Sequence, residues 1–300
     1  MDFTGLNNGD SWIAAGGTGI EHVGHVDISI GVSNGDGLPT GGGCWEKYWT
    51  GVNSADGPFD HENITIPGGT DACTVFKHVK LITVSGGPGT VSGCQYKSTR
   101  LCPITGGASA YAATPSLRAS YWTDGSSPYG FVYGLYDPGT GEVQTPSLGS
   151  IAHFDAYDGN WHSTFYQGQL NTIGNSDGFQ REWWYGAYRS QGTGLSYRSS
   201  GGTLINSVQH NPGEANNFGS TGDWYARHAR IVVIKGLAWC AFGNNSTFST
   251  TTDLLVVEPT SWSNTSIHFN THGTIPSGYN WMYVMDTSGN VNSSGLTTFS

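Results

Sequence analysis

The sequence predicts an all-β fold, a sandwich or jelly roll of many short strands joined by glycine-rich turns. Three observations carry this. The 300 residues include 46 Gly and only 11% charged residues, against about 25% charged in an average globular protein. Aromatic residues make up 13%, with 11 Trp, which supplies a core and excludes a disordered chain. Short apolar runs with period-two alternation recur between clusters of Gly, Pro, Asn and Asp, the pattern of half-buried strands and turns. Good helix formers are sparse, so helix is expected to stay under about a fifth of the chain, below the usual third.

The first clear strand is VGHVDISIGV, in which Val26, Ile28, Ile30 and Val32 share one face and Asp27 and Ser29 the other. Asn34–Gly43 reads as a loop. The aromatic CWEKYWTGV after it fits a strand or a turn of helix. Phe76–Val84 reads as a strand closed by Gly86–Gly89, with a return strand over Thr90–Leu101. Within Ala119–Val143, Phe131, Tyr133 and Leu135 alternate, and DPGTG is a strong turn signal. His210–Asp223 is a polar loop. Ile231–Phe242 is the most hydrophobic run and the expected centre of the core, as a buried strand or strand pair. DLLVV, SIHF and NWMYVM follow at a cadence that suits a sandwich or barrel. A division into an N-terminal β region (1–108) and a C-terminal sandwich (109–300) is expected at ITGGASA, with one large domain as the alternative.

The formal charge is 12 − 22 = −10. Nucleic acid and anionic membrane need a positive footprint and are excluded as expected partners. The start MDFTGLNNGDSW has no basic region followed by an apolar run, so no signal peptide is expected, and no stretch is long and apolar enough for a membrane helix. Synthesis in a cytoplasm follows as the expectation, unless a leader was removed. Five cysteines (Cys44, Cys73, Cys94, Cys102, Cys240) lack short metal or redox spacings. Buried free thiols are expected, with a Cys94–Cys102 disulfide as the alternative.

Catalytic motifs are weak. EHVGHVD puts His22 and His25 on opposite faces of a strand, which spoils a chelate, so a polar strand face is expected there. DAYDGN (Asp155–Asn160) offers oxygen ligands but not the full calcium-loop pattern, and reads as a turn. No nucleophile elbow, phosphate-binding loop or dinucleotide fingerprint is present, and no cofactor or metal is expected. Glycoside hydrolysis needs two carboxylates. Glu182, beside two tryptophans, is the carboxylate to test, since burial against Trp raises a carboxyl pKa.

The stretch Asp155–Gly202 concentrates large rings, arginines and small polar residues. Rings give contact area at low entropic cost and arginine gives forked donors. Trp161, Arg181, Trp183, Trp184, Tyr185, Tyr188, Arg189 and Tyr197 are therefore the expected binding residues, for assembly or for a glycan. Trp183 and Trp184 are neighbours on a strand and face opposite ways, so one is expected in the core and the other on a contact surface.

Two resemblances add to this reading. D-G-N-W-H (Asp158–His162) resembles the beginning of a strand in laminin-G and concanavalin-like sandwiches, which often bind glycans. The whole chain, rich in Gly, Ser, Asn and Trp, poor in Lys and Glu, and ending MDTSGNVNSSGLTTFS, resembles structural proteins of tailed-bacteriophage virions. The second resemblance implies a multimeric, non-enzymatic tail, fibre or capsid-decoration protein. It would contact its own copies and other virion proteins, and a cell-surface glycan as receptor. A lectin-like module and a glycan-degrading enzyme on a β scaffold are the alternatives.

Overall fold

A computed structural model describes residues 19–23, 28–34, 43–49, 59–83, 95–103, 117–122, 130–137, 141–145, 159–184, 186–195, 204–210, 224–270 and 275–297. Most of the described residues lie in strands. The helical element among the described residues is one 3-10 turn, Phe248–Thr250. The all-β expectation holds.

Among the described residues, eighteen strands form three antiparallel sheets. In chain order they are β1 (Gly19–Val23), β2 (Ile28–Asn34), β3 (Gly43–Trp49), β4 (Phe59–Thr70), β5 (Ala72–Thr83) and β6 (Gln95–Pro103). Then come β7 (Leu117–Trp122), β8 (Gly130–Asp137), β9 (Gly141–Thr145), β10 (Trp161–Gln169), β11 (Gly178–Trp184) and β12 (Ala187–Leu195). The last six are β13 (Ile205–His210), β14 (Trp224–Lys235), β15 (Trp239–Gly243), β16 (Leu254–Trp262), β17 (Ile267–Asn270) and β18 (Trp281–Met285).

The central sheet has the order β12-β11-β10-β5-β14-β3-β2, and a second seven-stranded sheet runs β1-β4-β13-β6-β7-β8-β9. A four-stranded sheet, β17-β16-β15-β18, is built from the C-terminal part of the chain. Early and late strands interleave: β5 pairs with β10 and β14, and β13 inserts between β4 and β6. The boundary expected within Ile104–Ala110 lies outside the described residues.

The hydrophobic run Ile231–Phe242 does become two strands, but they do not pair. Gly236, at φ +94, turns the chain from β14 in the central sheet to β15 in the C-terminal sheet. A left-handed residue is cheap only for glycine. The two strands then face each other across the main core. Phe76, Phe165 and Trp183 of the central sheet pack against Trp239, Ala241, Leu254, Val256, Tyr283 and Met285 of the C-terminal sheet, with Phe248 at their edge. Phe165 and Trp183 stack at 5.5 Å and 3°. The outer face of the C-terminal sheet has its own smaller core around Cys240, Phe242, Leu255 and Met282.

The opposite face of the central sheet meets the second seven-stranded sheet and is polar as well as buried. It carries His162, Thr164, Tyr166, Gln180, Glu182, Trp184 and His228, all buried. Tyr166 Oη donates to Gln180 Oε1 at 2.9 Å. The central sheet is thus covered on both sides.

Candidate functional site

The expected aromatic surface does not form from its tryptophans. Trp183 is fully buried between Phe165 and Phe248. Trp184 is 4% exposed on the other face of the same sheet, and Trp161 is 7% exposed, packed with Cys44 and Ala229. Neighbouring tryptophans do face opposite ways, but both faces of this sheet are covered, so neither becomes a contact surface. Arg181 is a structural stitch. Its Nε donates to Gln167 Oε1 at 2.7 Å, Nη2 donates to the Gly289 carbonyl at 2.7 Å, and its guanidinium lies 4.8 Å over the Tyr188 ring. Burial pulls its pKa below the usual arginine value. Tyr188 is half-buried beneath it, and Arg189 lies in β12. Tyr157, Tyr185, Tyr197, the turn at Asp155–Asp158 and Cys94 lie outside the described residues. Cys73 and Cys240 are buried free thiols, and Cys44 is buried as well. Glu182 is fully buried between two sheets.

A second polar cluster has the residue types of a hydrolase but not the geometry. Ser163 Oγ lies 2.6 Å from Asp253 Oδ1, Tyr279 Oη donates to Asp253 Oδ2 at 3.0 Å, and His78 Nε2 stands 3.8 Å from Asp253 Oδ1. The serine bonds to the carboxylate instead of to the imidazole, so no base activates it. Burial, and then Asp253, push the Tyr279 phenol up beyond its ordinary range. This cluster pins β16 to β10 and β5.

The site worth pursuing is on β13. The rings of His210 and His228 meet at 4.3 Å, which fixes the face of β13 turned toward the central sheet. Val208, His210, Leu101 and Thr99 are on that face, with exposures of 0–2%. Alternation sends Gln209 and Arg100 to the far face. There they stand opposite each other in register, with Asn63 of β4 opposite Gln209 on its other side. Directly opposed residues hold their Cβ atoms about 5 Å apart, so this is one continuous row across three strands.

Although Gln209 and Arg100 are on the far face, each is only 6% exposed. Gln209 Oε1 is buried with no hydrogen-bond partner, and the same holds for Oδ1 of Asn206, itself 5% exposed. A buried carbonyl oxygen without a donor is costly. An arginine fork flanked by amides can hold a carboxylate and neighbouring hydroxyls. Among the described residues no group of three or more His, Cys, Asp or Glu could hold a metal. Sequence reasoning did not single out Arg100, Asn206 or Gln209. The usable signal was the placing of Arg and amides on strands in a chain with few charges.

No protein-family model and no curated protein matches the chain. Solved structures do. The alginate lyase Aly36B is 16% identical, covers 78% of this chain and 95% of its own, and superposes with a TM-score of 0.51. A variant of that lyase in complex with alginate trisaccharide gives 16%, 78% and 96%, also at 0.51. The endo-β-1,4-glucuronan lyase from the fungus Trichoderma reesei is 12% identical, covers 76% and 93%, and reaches 0.52. At such identities the likeness shows the fold, a β-sandwich that polysaccharide lyases use.

These findings overturn the virion reading. The structures named above are polysaccharide lyases and not tail, fibre or capsid-decoration proteins, and Trp161, Trp183 and Trp184 of the expected contact surface are buried. The sandwich half of the resemblance stands: D-G-N-W-H does lead into a strand, β10, at Trp161.

Proposed function

We propose that this protein acts on an acidic polysaccharide, as a lyase that lays its substrate along the far face of β13 and β6. The observation that carries the reading is the buried opposition of Arg100 and Gln209, flanked by Asn63, on a fold used by alginate and glucuronan lyases. Both named substrates are polymers of uronic acids. Every one of the 12 Lys and Arg residues precedes Gly236, so a polyanion is drawn to the two larger sheets and not to the C-terminal one.

Chain cleavage of a uronate by β-elimination removes the proton on the carbon next to the carboxylate. The electron pair left behind forms a C=C bond, the bond to the 4-oxygen breaks, and that oxygen takes up a proton. The first step puts charge onto the carboxylate, and it is fast only where fixed donors meet that charge. Arg100, with the Gln209 and Asn63 amides beside it, is the group that would do so. Serine nucleophile chemistry is not called on.

The test is incubation with alginate and with glucuronan, following ultraviolet absorbance of the new unsaturated end group. Cleavage of either, with kcat/KM falling by about 100-fold or more in Arg100→Ala, supports the proposal. Binding without product in the native protein makes it a glycan-binding module. Neither binding nor cleavage overturns it.

A further inference from the structure

The C-terminal sheet carries an open aromatic ring that the proposed reaction does not use. Among the described residues the exposed large hydrophobic side chains are Ile173, Trp262 and Leu296, and Trp262, at 42% exposure, is the aromatic one. It ends β16, directly opposite Ile267 at the start of β17. Ile267 packs against the outer core of that sheet, so the cross-strand pair anchors the tip of the hairpin. The turn between them, Ser263–Ser266, is held by its own first hydroxyl. Ser263 Oγ accepts from the Ser266 amide at 3.0 Å and the Thr265 amide at 3.3 Å, and the Ser263 amide donates to the Ser266 carbonyl at 2.8 Å. Thr260, Ser261, Asn264, Thr265 and Ser266 beside the ring are all exposed. An open ring among small hydroxyl and amide side chains is the combination expected at Asp155–Gly202. The fold buries the tryptophans there and displays one here.

We infer that the β16–β17 hairpin binds a neutral polysaccharide. Trp262 stacks on the C–H face of one sugar ring, and the side chains of the turn meet the hydroxyls at its rim. Charge and area select this occupant. Glu258 is the only Asp, Glu, Lys or Arg in 258–270, and no Lys or Arg follows Lys235, so an acidic polymer meets no cation there. Leu296 pairs with Met282 of β18, at the opposite edge of the sheet from β17. With strands about 4.8 Å apart, it stands three strand widths, about 14 Å, from β16. Ile173 lies in the loop between β10 and β11. Trp262 is therefore a single ring and not part of a patch near the roughly 800 Å² per partner that a second copy would cover. One indole does match one pyranose ring. The hairpin is on a different sheet from Arg100 and Gln209, so this inference stands apart from the proposed reaction.

The probes are cellohexaose, laminarihexaose and mannohexaose, with a hexauronate as control, and binding is measured by calorimetry at low and high salt. At least one neutral hexasaccharide should bind the native protein with an affinity that salt leaves unchanged. Trp262→Ala should weaken that binding about tenfold or more while keeping the native thermal midpoint, and Trp262→Tyr, which retains a flat ring, should preserve most of it. If the alanine variant unfolds, Trp262→Thr, a good strand former, takes its place. No binding of any neutral probe overturns the inference, and so does unchanged binding in the folded ring-less variant. Self-association in sedimentation that disappears in that variant would make the occupant a second copy and overturns it as well. Cleavage of polyuronates by the native protein reports on the proposed function and not on this site, so the two can fail separately.

Discussion

His210 and His228 lie edge to face, ring centroids 4.3 Å apart and planes at 85°, each fully buried and each from a different sheet. This contact joins the strand that bears Gln209 to the central sheet. Removing one ring should therefore loosen β13 before it loosens the main core. His228→Ala is expected to cost about 1–3 kcal/mol. Hydrogen exchange should accelerate in Ile205–His210 more than in Trp281–Met285. Equal acceleration in both would show that the contact does not hold β13 in place.

Trp183 and Trp184 should behave alike under truncation, since each is buried on a covered face of the central sheet. Trp183→Ala and Trp184→Ala are each expected to lose about 3–5 kcal/mol, read as a lower urea midpoint. A variant with native stability would place that ring outside the core.

Along β14, Ile231 is fully buried while Val233 is only half-buried. An aspartate at Ile231 must bury an unpaired charge, which costs several kcal/mol, so Ile231→Asp should fail to fold. Val233→Asp should stay folded with a midpoint lowered by about 1–2 kcal/mol of stability. The reverse order would mean that the alternation along β14 has been misassigned.

Much of the scaffold was legible because strands announce themselves by alternation. The runs at Ile28, Phe76 and Trp281 became β2, β5 and β18. Alternation says which residues share a face, but not whether a third layer covers that face. For this reason Trp183 and Trp184 read as core and surface when both are core. The expected hydrophobic centre, Ile231–Phe242, was split by Gly236 into strands of different sheets, and only long-range pairing reveals that. Arg100, Asn206 and Gln209 were invisible for a related reason. Polar residues on a strand look like any solvated face until register places them side by side.

The seam between the central and C-terminal sheets should be sensitive to acid through His78. Its side chain is buried beside Asp253, and its pKa lies below the usual imidazole value. Burial is the main cause, Asp253 opposes it, and His162 and Arg230 add to the lowering. In the unfolded chain the same imidazole titrates near about 6.5. As pH falls below that value, the unfolded state takes up the proton first, so stability is lost. Above it both states are neutral and the contribution is complete. His78→Gln cannot titrate and should melt with a flatter pH dependence between about pH 7 and pH 5, the range spanning the unfolded value. The check is the thermal midpoint across that range for both proteins. Equal slopes would mean that His78 does not contribute to the acid sensitivity of the seam. A steeper slope in the native protein would identify His78 as the group through which acid loosens β5 from Asp253.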